Sequence, residues 1–241
     1  SLQERVGYSQ TSSMLTSWKQ QEDLEFLNEV SCVPLQQGLR HLQTAFTNFF
    51  AGRAKYPNFK KKHNGGSAEF TKSAFRWKER CAPVGFPDAK SATRHGRVFL
   101  AKCTEALPIH WSKPIPEGCT PSTITVKLTA AGRWFVSLLV DDHTVKPLPK
   151  TDKAIGLDVG ITSLIATSNG DKITNPKHFK QLRKKLKRVQ KALSRKQKGS
   201  NNRYKARLQV ARVHAQITDA RKDFLHKLTT QLVRENQTIV V

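Results

Sequence analysis

The 241-residue sequence has few acidic residues, no long apolar run and no closely paired cysteines. No stretch reaches the ~18 apolar residues of a transmembrane helix, and the N-terminal region lacks the basic-then-apolar order of a secretion signal. Cys32, Cys81, Cys103 and Cys119 form no C-x-x-C pair, which argues against a zinc ribbon within this sequence. The pattern is typical of free thiols in a reducing compartment, so we expect a cytoplasmic protein.

The shortage of acids leaves a strongly positive chain. Lys and Arg number 42 against 18 Asp and Glu, a formal net charge of +24. Such a charge indicates three classes of partner, which are nucleic acid, an anionic membrane surface and an acidic protein.

Residues 1 to about 55 have the pattern of helices. Ser9–Ser13 offers N-cap residues for a helix that we expect to end near Val30. Pro34 suits the first turn of a second helix. In that helix apolar residues recur at helical spacing, at positions 35, 39, 42, 46 and 49, so one face needs a partner surface.

From about residue 56 to 150 the helical period disappears and short β-type runs take its place. Residues 122–128 and 133–140, joined by 129–132, predict a hairpin, and residues 97–100 predict another strand. A series of short strands favours a small barrel or sandwich. The Pro-rich connector 146–150 is the predicted boundary between domains 1–150 and 151–241.

Residues 151–241 begin with a predicted strand at 154–158 and a second at 161–167, closed by a turn at Asn169-Gly170. Two amphipathic helices follow between about 175 and 236, joined by a polar turn at 199–202 into an antiparallel hairpin. The final residues, 238–241, have the pattern of an apolar strand. The predicted fold class is therefore α+β.

Asp158 is the candidate catalytic residue. It ends an apolar strand between Gly156 and Gly160, where its side chain can reach an open groove. A carboxylate there can bind a divalent metal ion through oxygen, although an Asp at this point equally suits a tight turn. The run also resembles the first phosphate motif of actin-like and sugar-kinase ATPases, whose ribonuclease H-like core many nucleases share.

The charge of the predicted hairpin separates a nuclease from an ATPase. Residues 177–222 contain 17 Lys and Arg against one acid, Asp219, which is a net +16 of the chain's +24. A solvated helix face would mix the two signs. A surface of one sign suits a phosphate backbone, and an ATPase has no need of it. The candidate contacts are Arg183, Lys184, Lys187, Arg188, Arg195, Lys196, Lys198, Arg203 and Arg207.

A second basic cluster, at residues 55–62, alternates aromatic and basic side chains. Lys60, Lys61 and Lys62 are candidate phosphate contacts, and the aromatics Tyr56 and Phe59 can stack on bases. The alternative, a loop with both rings anchored in the core, is equally compatible with the sequence.

Several of these runs resemble the TnpB (OrfB-type) family, the RNA-guided nucleases of insertion-sequence transposons. Residues 154–163 are similar to the family's first RuvC-type motif, and 193–202 and 221–228 resemble later segments in the same order. Upstream, residues 7–13 and 35–39 resemble its recognition helices, and 56–62 its Pro-x-Phe-basic segment.

The resemblance implies a helical recognition insert (about 1–55) with an oligonucleotide-binding-like wedge barrel (about 56–150), then the start of a ribonuclease H-like RuvC domain. It implies a prokaryotic, nucleoid-associated, Mg²⁺-dependent DNA endonuclease whose partners are guide RNA and target DNA, with no membrane or small-molecule substrate. Asp158 becomes its first catalytic carboxylate. Polar side chains that bind bases or phosphates become candidates for reading the motif beside the target, namely Tyr8, Ser12, Gln36 and Thr71.

In the family a second carboxylate, a Glu, follows the strand with which this sequence ends, and a third carboxylate and a zinc ribbon lie further on. We therefore expect a chain truncated at both ends, with an incomplete metal site and no cleavage activity of its own. Two alternatives stay open. One is a nuclease-dead, RNA-guided DNA-binding repressor, and the other, disfavoured by the basic hairpin, is an actin-like ATPase.

Overall fold

The structure, a computed structural model, describes residues 6–59, 65–79, 94–113 and 115–241. Helices and strands are mixed, which confirms the α+β class. The chain divides into two compact units, one of Ser1–Thr129 with Arg133–Thr144 and one of Ala130–Gly132 with Val145–Val241. Among the described helices, none combines the length and apolarity needed to cross a bilayer.

The first unit begins with helix α1, Tyr8–Trp18, a 3-10 helix, Glu22–Asn28, and helix α2, Cys32–Phe50. The predicted N-cap within residues 9–13 is wrong, because α1 begins earlier. Gly7 is its N-cap residue, and the Gly7 N–H donates to Oε1 of Gln10 at 2.8 Å. This bond satisfies a backbone donor before the first helical turn.

The single helix expected to end near Val30 is also wrong, because α1 ends at Trp18. The amide of Asn28 donates to the Lys19 carbonyl at 2.9 Å and so folds the chain back on the helix end. After Trp18, the first turn of the 3-10 helix contains Glu22, Asp23 and Glu25. Their charge is unfavourable at the negative end of a helix and favourable at the start of a new one, so the chain breaks and begins again.

The predicted start of α2 is confirmed, since Pro34 lies in its first turn. The Val33 N–H donates to Oγ of the N-cap residue Ser31, at 3.4 Å. Val33 packs against the core of the first unit, and His41 lies 3.3 Å from Glu69, so α2 docks on the sheet that contains Glu69.

In the described part of the first unit, six strands form two three-stranded sheets of order β1-β5-β6 and β2-β3-β4. Neighbouring strands are antiparallel, and the predicted 122–140 hairpin is confirmed as β5–β6. Buried side chains from both sheets form one core, which includes Phe70, Phe75, Val98 and Ile124. The strands are β1 Gly65–Thr71, β2 Phe75–Glu79, β3 Arg94–Leu100, β4 Leu107–Trp111, β5 Pro121–Thr129 and β6 Trp134–Val140.

The unit ends in an Asx turn. The hydroxyl and the N–H of Thr144 both donate to the carboxylate of Asp142, and these bonds lower the pKa of that carboxyl below its ordinary value. The first unit therefore ends at Thr144, a few residues before the predicted boundary at 150.

The second unit contains a four-stranded sheet of order β10-β7-β8-β9, in which β10 is parallel to β7 and the other pairs are antiparallel. Its strands are β7 Ala154–Asp158, β8 Ile165–Thr167, β9 Lys172–Ile173 and β10 Thr238–Val240. The predicted strand at 161–167 is too long. The Gly160 N–H donates to the Leu164 carbonyl at 3.3 Å, which turns the chain before β8 begins.

Two helices lie between β9 and β10, namely α3, His178–Ser194, and α4, Asn201–Glu235. They pack against each other as the predicted hairpin, with Leu186, Val213 and Ile217 buried at their contact. The turn between them contains Gly199, whose φ of 84° is the left-handed conformation that glycine adopts without strain.

The core of the first unit generates a stability prediction. Ile124 is fully buried, so Ile124→Ala should lower the free energy of unfolding by about 2–5 kcal/mol through lost contacts and a cavity. Urea unfolding followed by tryptophan fluorescence measures this, since Trp77 packs against the same core. Lys127→Ala is the control, because Lys127 is exposed on the same strand. An equal loss in the control would contradict the assigned core.

Candidate nucleic-acid interface and carboxylate site

A narrow apolar seam holds the basic hairpin together. Leu186 of α3 contacts Val213 and Ile217 of α4, and Leu182, Val189 and Val210 pack around them. These residues recur every three or four positions, so each helix turns one stripe inward and leaves the rest of its surface to water. The seam therefore determines which cations face outward.

On α3 the cations occupy the surface turned away from the seam. Lys184, Arg188, Lys191 and Arg195 recur at steps of four, three and four, and all are exposed. At 100° per residue this line lies opposite Leu186. Arg183 and Lys187 flank it and are also exposed, as are Lys196 and Lys198 in the turn. Asp219 is the one acid among 17 cations in residues 177–222, so the surface stays strongly positive.

Arg203 differs from the other predicted contacts because its guanidinium bonds within the hairpin. Nη1 of Arg203 donates to the carbonyls of Leu193 and Lys196, at 3.3 and 2.9 Å, and the side chain is half-buried. Leu193 lies in the last turn of α3 and Lys196 two residues beyond its end, a region where backbone carbonyls have few helical partners. Ser200, the N-cap residue of α4, accepts from the Arg203 N–H at 3.2 Å. Arg203 therefore fixes the turn between the helices.

Arg207 lies one turn beyond Arg203 and stays exposed. Its guanidinium carbon is 5.8 Å from the ring centroid of Tyr204, whose side chain is also exposed. The pair presents a ring and a cation together, and both can contact nucleic acid. Tyr204 was not predicted as a contact from the sequence. Its position three residues before Arg207 was the signal that could have indicated it.

Asp158 is exposed at the carboxyl end of β7, where it pairs with Ala166 of β8. On the other side, β10 runs parallel to β7, with Val240 beside Gly156. The carboxyl ends of the two parallel strands therefore share one edge of the sheet, and Asp158 stands on that edge. Among the residues that the structure describes, no group of three His, Cys, Asp or Glu side chains could hold a metal ion. Asp158 is thus a single carboxylate and does not form a complete metal site with them.

A groove of about 560 Å³ opens between the sheet and the C-terminal half of α4. Its lining includes Ile155, Asp171, Lys227, Leu228 and Glu235. Both charge signs and apolar side chains are present, which does not match the surface that a phosphate backbone requires. Asp158 is not among the residues that line the groove.

Three of the four upstream candidates lie on the first two helices. Tyr8 begins α1, and the guanidinium carbon of Arg40 on α2 is 5.0 Å from its ring centroid. Gln36 is one turn before Arg40, so Tyr8, Gln36 and Arg40 share one side of α2. Ser12 is one turn after Tyr8 and is half-buried.

Thr71 lies apart from these helices, at the end of β1, where its hydroxyl is 3.5 Å from that of Ser73. Arg40 was not among the predicted contacts, although its spacing of four from Gln36 could have indicated it. Lys60, Lys61 and Lys62 lie outside the described residues.

Known proteins resemble this chain over nearly its whole length. The family model OrfB_IS605, with the description "Probable transposase", matches residues 136–241. A Streptomyces pristinaespiralis protein named "Putative RNA-guided DNA endonuclease" is 57% identical over 240 residues, which are 99% of this chain and 56% of that protein. "Putative RNA-guided DNA endonuclease InsQ" of Escherichia coli (strain K12) is 30% identical over 241 residues, 98% of this chain and 54% of that protein. The chain spans about half the length of these curated relatives.

The Arg203 bonds generate a prediction that separates hairpin stability from surface charge. Arg203→Gln should destabilise the hairpin by about 1–2 kcal/mol, because it leaves two carbonyls without a charged donor. Arg207→Gln removes the same charge from an exposed site and should change stability little. Thermal unfolding followed by circular dichroism compares the two variants. Equal unfolding temperatures would show that the Arg203 bonds contribute nothing.

Proposed function

We propose that this chain, which belongs to the OrfB (TnpB) family of transposon-encoded proteins, binds guide RNA and target DNA. We further propose that it contributes the first catalytic carboxylate of a metal-dependent DNA endonuclease. The basic hairpin is the observation that carries the proposal. Its exposed cations suit the continuous negative charge of a phosphate backbone, whatever the base sequence. The names of the two relatives, which describe RNA-guided DNA endonucleases, support an RNA guide and a DNA target as these nucleic acids.

The sheet of the second unit supports a ribonuclease H-like, RuvC-type domain. Three antiparallel strands, β9, β8 and β7, are followed in the sheet by β10, which is parallel to β7. The carboxyl end of β10 is where a second carboxylate would meet Asp158. In the first unit, we infer that α1 and α2 are the recognition helices and that the two sheets around one core form the wedge domain.

The catalytic part of the proposal concerns Asp158 alone. An exposed carboxylate at the edge of a sheet can be one oxygen ligand of Mg²⁺. Metal-assisted phosphodiester cleavage requires further carboxylates to hold the ions, and the described residues do not supply them. The proposed role of Asp158 is therefore to be one ligand of the metal ion, not to act on the substrate by itself.

An actin-like ATPase fits these observations less well. An actin-like ATPase needs a pocket for a nucleoside triphosphate next to the first phosphate motif, whereas Asp158 is exposed and does not line the groove of the second unit. The nuclease-dead repressor shares every nucleic-acid contact proposed here and differs only in cleavage. Cleavage is therefore the measurement that separates it from a nuclease.

The hairpin generates the first functional prediction. The affinity for RNA or duplex DNA should fall steeply with salt, because each phosphate contact releases counterions. Replacing Arg183, Lys184, Lys187 and Arg188 together with Gln should reduce the slope of log K against log salt by about 3, if all four contact phosphates. Fluorescence anisotropy titrations at several salt concentrations measure the slope.

The matched control removes the same charge elsewhere. Exposed cations outside the hairpin, changed together to Gln, should leave the slope nearly unchanged: Lys72, Lys113, Lys127 and Lys146. If both fourfold variants reduce the slope equally, only net charge matters and the hairpin is not the phosphate-binding surface.

Asp158 generates the second functional prediction. In a full-length protein that contains this chain, Asp158→Ala should abolish Mg²⁺-dependent plasmid cleavage and leave RNA-guided DNA binding largely intact, because the phosphate contacts lie on the hairpin. Asp152→Ala, an exposed acid nearby, is the control and should cleave normally. The isolated 241-residue chain should bind nucleic acid and cleave none. Full activity in the Asp158→Ala protein would falsify the assigned carboxylate, and absence of cleavage in the unmodified protein would favour the repressor.

A further inference from the structure

The C-terminal end of α2 carries a cluster of aromatic rings. The centroids of Phe46 and Phe50 are 6.2 Å apart in a stacked arrangement, and those of Phe49 and Phe50 are 5.2 Å apart. Tyr56 then packs nearly perpendicular to Phe46 and Phe49, at 5.7 and 5.3 Å. These separations lie in the favourable range for aromatic pairs, so the rings hold one another in place on the helix.

The outer rings of the cluster are in contact with water. Phe46 and Phe49 are half-buried and form its base, whereas Phe50 and Tyr56 are each 62% exposed. Phe59, three residues after Tyr56, is 101% exposed. The sequence alone allowed Tyr56 and Phe59 to be anchored in a core, and the structure excludes that alternative. The exposed rings of Phe50 and Tyr56 belong to one cluster, and Phe59 follows Tyr56 by three residues along the chain. Exposed rings of this kind suit a ligand with flat apolar faces.

The charge around these rings indicates a polyanion. Residues 30–68 contain six Lys and Arg and no Asp or Glu. Among them, Arg53 and Lys55 are exposed and lie between Phe50 and Tyr56 in the chain. Phe26 provides a contrast, since it is 56% exposed but lies in a segment, residues 22–29, that has four acids and no base. Phosphates are attracted to the first region and repelled from the second.

We propose that Phe50, Tyr56 and Phe59 form a stacking platform for unpaired bases of a nucleic-acid strand, with Arg53 and Lys55 neutralising the adjacent phosphates. Aromatic rings bind bases of any sequence through their flat faces, and cations beside them follow the backbone. Bases inside a duplex already stack on each other, so the ligand is a single strand or an unpaired segment. The platform rests on the proposed function only in taking the polyanion to be a nucleic acid, and it requires neither Asp158 nor the hairpin.

The test uses variants that remove an aromatic ring but keep an apolar side chain. Phe59→Leu and Tyr56→Leu should each weaken binding of an unstructured uridine homopolymer about fivefold or more, because each removes one base-stacking contact. Tyr56→Phe keeps the ring and should bind normally. Phe26→Leu is the matched control in the acidic segment and should also bind normally. Phe59 is fully exposed, so its substitution leaves the fold undisturbed even if Tyr56→Leu loosens the cluster.

Four probes of equal length separate stacking from charge, each titrated by fluorescence anisotropy at one salt concentration. They are the uridine homopolymer, its deoxythymidine counterpart, an abasic deoxyribose-phosphate oligomer and a duplex. The ring variants should weaken binding to homopolymers only. Loss on the uridine strand alone assigns RNA to the platform, and loss on both strands assigns any unpaired strand. Three outcomes would overturn the proposal. The ring variants could leave homopolymer binding unchanged, as a protein-binding surface would give. They could lose as much affinity for the abasic oligomer, or Phe26→Leu could show an equal loss.

The fourfold Gln variant of the hairpin distinguishes failure of this proposal from failure of the proposed function. That variant should weaken binding of the abasic oligomer and the duplex, where the ring variants have no effect. If only the hairpin effect is absent, the phosphate surface is wrong and the platform stands. If only the ring effect is absent, the platform is wrong and the proposed function stands.

Discussion

The contact between α3 and α4 is the interaction on which the basic surface depends. Many like charges on two adjacent helices repel one another, and this repulsion opposes folding of the hairpin. Against it stand the buried side chains of Leu186, Val213 and Ile217 and the bonds of Arg203 to the end of α3. A polyanion that neutralised the outer cations would remove the repulsion and leave the seam intact. Nucleic-acid binding and hairpin stability should therefore be linked.

The two proposed nucleic-acid surfaces use different physical chemistry. The hairpin has many cations and few aromatic rings, so it suits phosphates and is insensitive to whether bases are paired. The platform at the end of α2 has few cations beside three exposed rings, so it suits unpaired bases. A folded RNA and a DNA duplex together present both kinds of ligand, the continuous phosphate backbone and unpaired bases. One lies in each compact unit of this chain.

Asp158 shows why a fold and a motif are insufficient to assign an activity. The same strand and turn occur in ATPases and nucleases, and a lone exposed carboxylate has no chemistry specific to either. What favours a nuclease is the charge inserted between β9 and β10, together with the names of relatives that are 57% and 30% identical. Under the proposed function, Asp158 would act only together with further metal ligands at the same edge of the sheet.

Features that depend on the local order of residues could be predicted from the sequence. The hairpin follows from apolar residues at helical spacing and from a glycine turn, and its charge follows from composition. The strands β1, β2, β4 and β9 were missed. The partner of β1 lies far along the chain, since Gly65 pairs with Thr129, and β9 has only two residues. The break after Trp18 was missed because a distant side chain, that of Asn28, captures the end of the helix.

Which side chains remain available to a ligand depends on tertiary packing and could not be predicted from the sequence. Arg203 and Arg207 are the same residue type, one turn apart on α4. The Arg203 side chain nevertheless donates to a carbonyl beyond the end of α3, whereas Arg207 faces water. In the sequence, Tyr56 and Phe59 were compatible with a core or with a binding surface, and in the structure both are exposed. Availability depends on what surrounds a side chain in space, and those surroundings are contributed by segments that the local sequence does not specify.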